Sequence, residues 1–99
     1  MILYNVTVSV DESIHTEWLE WMKKKHIPDV IATGLFTEYK FYKIISDDPQ
    51  EMTYSIQYFL ASMDDYDTYQ KKYAQALQSE HSGKFGDKFV AFRTLLKSV

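Results

Sequence analysis

Four stretches of this chain alternate in polarity, and their placement restricts the fold more than any other feature. In I-L-Y-N-V-T-V-S-V at 2–10, Ile2, Tyr4, Val6, Val8 and Val10 share one face, with Leu3, Asn5, Thr7 and Ser9 on the other. Alternation with β-branched enrichment predicts a strand with one buried side. M-T-Y-S-I-Q-Y-F-L at 52–60 repeats it, setting Met52, Tyr54, Ile56, Tyr58 and Leu60 against Thr53, Ser55, Gln57 and Phe59. Two further strands are expected over 35–45 and from Phe85 or Lys88 to Leu96, with a turn in S-D-D-P-Q at 46–50.

Between the first two strands lies a helical stripe: Ile14, Trp18, Met22 and His26 recur by fours, with Leu19 and Trp21 beside them. Asp11 is the expected N-cap, with Glu12 in the first turn. Lys23, Lys24 and Lys25 suit the negative helix end and read as a solvated face. Ile27 precedes Pro28 and is disfavoured in helical geometry, so this helix is expected to end near His26. Pro28 would open a second short helix through Ala32, closed by Gly34 from a left-handed position. Ser62 with Asp65 resembles a capping box, and Tyr66, Tyr69, Tyr73 and Leu77 mark a second helical face running to about His81. S-G-K-F-G at 82–86 is expected to break it. The order strand–helix–strand, turn, strand–helix–strand matches the α+β ferredoxin-like βαββαβ plan as a single domain over 1–99. Right-handed crossovers place the first and third strands centrally in a four-stranded antiparallel sheet, with two main helices on one face.

The other sheet face needs a use. Besides Leu3, Asn5, Thr7, Ser9, Thr53, Ser55, Gln57 and Phe59, in-phase alternation would add Glu38, Lys40, Tyr42, Phe89, Ala91, Arg93 and Leu95. Such a face mixes polar groups with a sizeable apolar patch, which monomers usually avoid. At 11.7 kDa the chain should expose roughly 5,900 Å² when folded, a small core that an extra buried surface would help. A homodimer through the open sheet face is therefore expected. With 14 acidic and 11 basic residues, net charge -3, the chain lacks the basic excess of a nucleic-acid binder. There is no membrane-length apolar run. Without cysteine there is no disulfide or thiolate chemistry, and with strand-like residues from Ile2 on and no leader-like segment, a cytoplasmic protein is expected.

W-x-x-W-M-x-x-x-H-I-P-D-V at 18–30, within this topology, resembles the dimeric α/β-barrel superfamily. The H-x-P feature is similar to that of EthD-like and NIPSNAP-like proteins, and the full chain resembles a small bacterial family of that superfamily with no assigned activity. The superfamily's activities include cofactor-free monooxygenation, haem degradation and isomerisation; residue by residue, the resemblance carries over only His26 and Pro28.

His26 is the candidate catalytic residue. In one reading it transfers a proton or anchors a small apolar or aromatic ligand, in a pocket lined by Trp18, Trp21, Met22, Tyr39, Tyr54 and Tyr58. Mostly apolar pockets with a few polar groups are what small-molecule sites look like. Tyr39, Tyr54 or Tyr58 would be its partners in proton transfer. In the other reading, His26 caps carbonyls or bonds Asp29 to hold the Pro28 break, the aromatics are core, and the protein is a non-catalytic dimerisation or regulatory module. The topology brings His26 and His81 to one end of the sheet, near Asp29 and Glu80, without the ligand spacing of a metal motif. No metal and no cofactor is expected.

Overall fold

A computed structural model describes residues 1–48 and 50–99; Pro49, within the expected turn, lies outside the described residues. The strands β1 (Ile2–Val10), β2 (Glu38–Lys43), β3 (Thr53–Leu60) and β4 (Phe89–Lys97) form one antiparallel sheet in the order β2-β3-β1-β4. This is the ferredoxin-like arrangement, with β1 and β3 central. Tyr4 pairs with Tyr58, Val6 with Ile56 and Val8 with Tyr54, so the apolar faces of the two central strands coincide. Two helical segments cover that face, and Trp18, Met22, Ile27, Val30, Tyr69 and Phe85 are buried against it.

The first segment does not end at His26. A single 3-10 turn capped by Asp11, whose carboxylate accepts from the Ser13 N–H at 2.9 Å, leads into α1 (His15–Trp21). A π-helical turn (Met22–His26) follows and runs directly into α2 (Ile27–Ile31). Pro28 lacks the N–H for an i→i−4 bond, and its ring crowds the carbonyl one turn back. The wider turn before it, closed by the Ile27 N–H on the Met22 carbonyl, lets the helix continue where sequence rules predict a stop. The inserted residue also shifts the buried stripe from Met22 to Ile27 and Val30 rather than to His26. Gly34, at φ 80°, closes the segment as expected.

The second segment has the same construction. Ser62 caps α3 (Met63–Tyr69) by accepting from the Asp65 N–H at 3.4 Å, a π-turn (Gln70–Ala74) follows, and α4 spans Gln75–Phe85. Here too the stripe moves by one: Ala74 is buried and Tyr73 is exposed, in contrast to the expected face. The helix passes through Gly83 and ends at Gly86 rather than near His81.

A further correction concerns β4. Arg93 stands opposite Val6, Leu95 opposite Tyr4, Ala91 opposite Val8 and Phe89 opposite Val10. Cross-strand partners share a face, so these four point to the helix side, not to the open one. The open face instead receives Val90, Phe92, Thr94 and Leu96, paired with Ser9, Thr7, Asn5 and Leu3. Glu38, Lys40 and Tyr42 do lie on the open face, opposite Phe59, Gln57 and Ser55. The chain exposes 6213 Å², slightly more than its mass predicts.

Candidate functional site

Between the helices and β1, the fold leaves a cavity of about 30 Å³. Val6, Val8 and Ile56 form its floor, and Met22 and Val30 come from the first helical segment. Tyr4, Tyr58 and Tyr69 add aromatic wall, while Gln78, His26, His81 and Arg93 supply polar groups. At roughly 10–15 Å³ per water position, the enclosed space holds about two waters.

His26 owes its place to the π-turn. The inserted residue puts Ile27 in the core position and leaves His26 at the side of the cavity, stacked on Trp21 with ring centroids 5.0 Å apart. Its Nδ1 is buried and has no hydrogen-bond partner among the described residues. Asp29, the partner expected from sequence, is engaged instead by Lys25, which also approaches Glu80 at 3.6 Å. Burial holds the His26 pKa down at about 4, despite the opposing pull of Glu80 and Asp29. At neutral pH the ring is uncharged.

His81 enters from α4, with its ring centroid 5.5 Å from that of His26. The Trp18 Nε1–H donates to His81 Nε2 at 2.8 Å within the core. An accepting Nε2 places the His81 proton on Nδ1. Burial, with lesser contributions from His26 and Arg93, pushes this pKa down to about 4 as well. Trp21 lies parallel to His81 at 5.4 Å and Phe89 stacks on it at 3.9 Å, so the two imidazoles sit in an aromatic column. Among the described residues no three His, Asp or Glu side chains converge as metal ligands.

Of the other residues singled out from sequence, Met22 and Tyr58 line the cavity with His26. Trp18 is fully buried behind His81, against Tyr54 and Phe41. Trp21 packs on both imidazoles without lining the cavity. Tyr54 is hydrogen-bonded to His15 at 2.6 Å, away from His26, and Tyr39 is exposed on β2. Burial and neighbouring tyrosines raise the Tyr58 pKa far above the ordinary phenol value, so its hydroxyl stays protonated. Sequence reasoning missed Tyr4, Tyr69, Gln78 and Arg93 as cavity residues. Arg93 carried one legible signal: it is the one charge inside the largely apolar run F-V-A-F-R-T-L-L at 89–96.

The fold has solved counterparts of low identity. A dimeric ferredoxin-like protein from an uncultured marine organism superposes with a TM-score of 0.69 at 13% identity, over 100% of this chain and 95% of that one. An ethyl tert-butyl ether degradation (EthD) family protein from Bacillus halodurans gives 0.70 at 9% identity, covering 100% of both chains. HapK from Hahella chejuensis gives 0.71 at 7% identity, over 100% of this chain and 93% of that one. At such identities the likeness concerns the fold alone. No curated protein matches the sequence. A family match does extend over residues 1–99, and the chain belongs to the family described as "Domain of unknown function (DUF4286)".

Proposed function

We propose that this chain is a homodimeric protein that binds a small, mostly apolar or aromatic molecule in the cavity beside His26. The observation that carries the reading is the partnerless, buried Nδ1 of His26 at the wall of that cavity. An unpaired buried nitrogen weakens a fold, so a group that occupies the cavity and bonds it gives the residue a purpose. The surroundings suit a ligand: aliphatic floor, tyrosine walls and a few convergent polar groups. If chemistry follows binding, uncharged His26 accepts a proton and the Tyr58 hydroxyl donates a hydrogen bond. Neither Tyr39 nor Tyr54 lies at the cavity to serve as that partner.

Assembly belongs to the same proposal. Val90, Phe92 and Leu96 are exposed along β4 on the open sheet face, next to Leu3 and Phe59. The polar groups on the central strands satisfy one another: the Ser55 hydroxyl donates to Asn5 Oδ1 at 2.6 Å, and Asn5 Nδ2 donates to Thr7 Oγ1 at 3.0 Å. Covering that face costs little hydrogen bonding and removes apolar surface from water. Among the described residues, no helix is long and apolar enough to cross a membrane. The cysteine-free sequence suits a reducing compartment, and we place the dimer in the cytoplasm on that ground.

A fragment screen read by tryptophan fluorescence and ligand-observed NMR tests the binding reading. Hits are expected with the parent and should weaken in His26→Asn and in Val6→Phe, which fills the cavity. The cavity's small volume favours the competing module with a self-filled core. A parent without hits, or hits indifferent to both substitutions, decides for that alternative.

A further inference from the structure

We propose that the cavity selects small monoanions, carboxylates no bulkier than formate or acetate, through the guanidinium of Arg93. The inference rests on the small-molecule reading above and names the ligand class.

Among the described residues, Arg93 is the only charged one lining the cavity, and no aspartate or glutamate shares the wall with it. Its face of β4 carries Phe89, Ala91 and Leu95, with Lys97 at the strand's end, so Arg93 interrupts an apolar run at the cavity. Among the described residues, Arg93 makes no ion pair. The carboxylates that act on His26, Asp29 and Glu80, are already engaged by Lys25. A guanidinium thus borders an apolar space with no carboxylate among the described residues paired to it. Because Arg93 is on an edge strand and remains solvent-accessible, an anion reaches it without the helices separating.

The remaining polar groups fit a carboxylate better than other heads. Guanidinium presents two parallel N–H donors matched to two carboxylate oxygens. Gln78 adds an amide at the same wall, and His81, with Nε2 occupied by Trp18, has its proton on Nδ1. A cationic ligand would face Arg93 unscreened. A dianion would bring a second charge that no residue of the wall meets. A neutral amide keeps one oxygen but turns an NH2 group toward donors.

The full-length chain is titrated at about pH 7.5 and constant ionic strength with formate, formamide, acetate and acetamide, followed by tryptophan fluorescence and ligand-observed NMR. Each acid is expected to bind at least about tenfold more tightly than its amide. Arg93→Met should lower the acids to the level of the amides while leaving amide affinities unchanged, and Arg93→Lys should restore part of the preference. Saturable binding of acid and amide with equal affinity overturns the role of Arg93 and leaves the small-molecule reading intact. Acid preference that survives Arg93→Met likewise overturns it. No saturable binding by any of the four up to about 50 mM removes both readings.

Discussion

A buried ring nitrogen without a partner is a cost to the fold, and His26 carries one at Nδ1. If His26 bonded Asp29 or a carbonyl at the Pro28 break, His26→Leu would leave that partner unpaired. With no partner among the described residues, the expectation reverses. His26→Leu should hold the parent's stability at neutral pH or exceed it by about 1 kcal/mol, as removal of an unsatisfied polar atom does. Acid sensitivity gives a second readout. His26 and His81 titrate near 4 in the fold, against about 6.5 in the unfolded chain. The unfolded state therefore binds more protons between those values, so the stability contributed by keeping the rings neutral is complete above pH 6.5 and declines as pH falls towards 4. The loss is on the order of 3 kcal/mol per ring. Urea midpoints across this range should fall steeply for the parent and about half as far for His26→Leu. A His26→Leu variant that loses more than about 2 kcal/mol at neutral pH would show that the imidazole holds the fold together. Trp18→Ala, by contrast, should cost about 3–5 kcal/mol, since it empties a fully buried site and strips His81 of its donor.

At the scale of the element, what was legible in the sequence depended on how regular each element is. β1 runs Ile2–Val10, as its alternation predicts, because a period of two admits only one assignment when one face is apolar. The helices were read as ideal, and both contain a π-turn. Those turns insert a residue, so spacing by fours tracked the true core only as far as Met22 and Tyr69. β4 could not be phased at all. Phe89, Ala91, Arg93, Leu95 and Val90, Phe92, Thr94, Leu96 are nearly equal in polarity, and pairing with β1 decides between them. The two glycines of 82–86 separate as well. Gly83 lies inside α4, whereas Gly86 ends it at φ 58°, ψ −127°. Neither has a heavy atom within 4 Å of an added Cβ, so backbone conformation alone sets the effect of alanine. Gly83→Ala should stabilise by about 0.5–1 kcal/mol, and Gly86→Ala should destabilise by about 1 kcal/mol or more. Thermal unfolding of the two variants must show opposite signs; a shared sign would place the helix end elsewhere.

For the whole molecule, the corrected phase of β4 redirects the test of assembly. With Arg93 placed on the open face, its charge reversal was the natural way to disrupt a dimer. It lies on the helix side instead, so Arg93→Glu should leave the sedimentation coefficient unchanged. Phe92 takes over that role: it is 67% exposed, stands opposite Thr7, and is flanked on its face by Val90. Near it the central strands present hydroxyl and amide groups that already bond one another, and Lys40 lies over the Phe59 ring at 5.7 Å. A two-fold axis through this face would bury the β4 side chains of both copies without stranding a polar group. Phe92→Glu would place a carboxylate in that contact, where an unpaired buried charge costs several kcal/mol. Sedimentation at micromolar concentration should therefore find the parent and Arg93→Glu at twice the 11.7 kDa chain mass and Phe92→Glu at the chain mass. A circular dichroism spectrum like the parent's would confirm that the variant has separated rather than unfolded. If Arg93→Glu dissociates the dimer and Phe92→Glu does not, the copies meet along the β4 edge or the helices, and the open face must be occupied by something else.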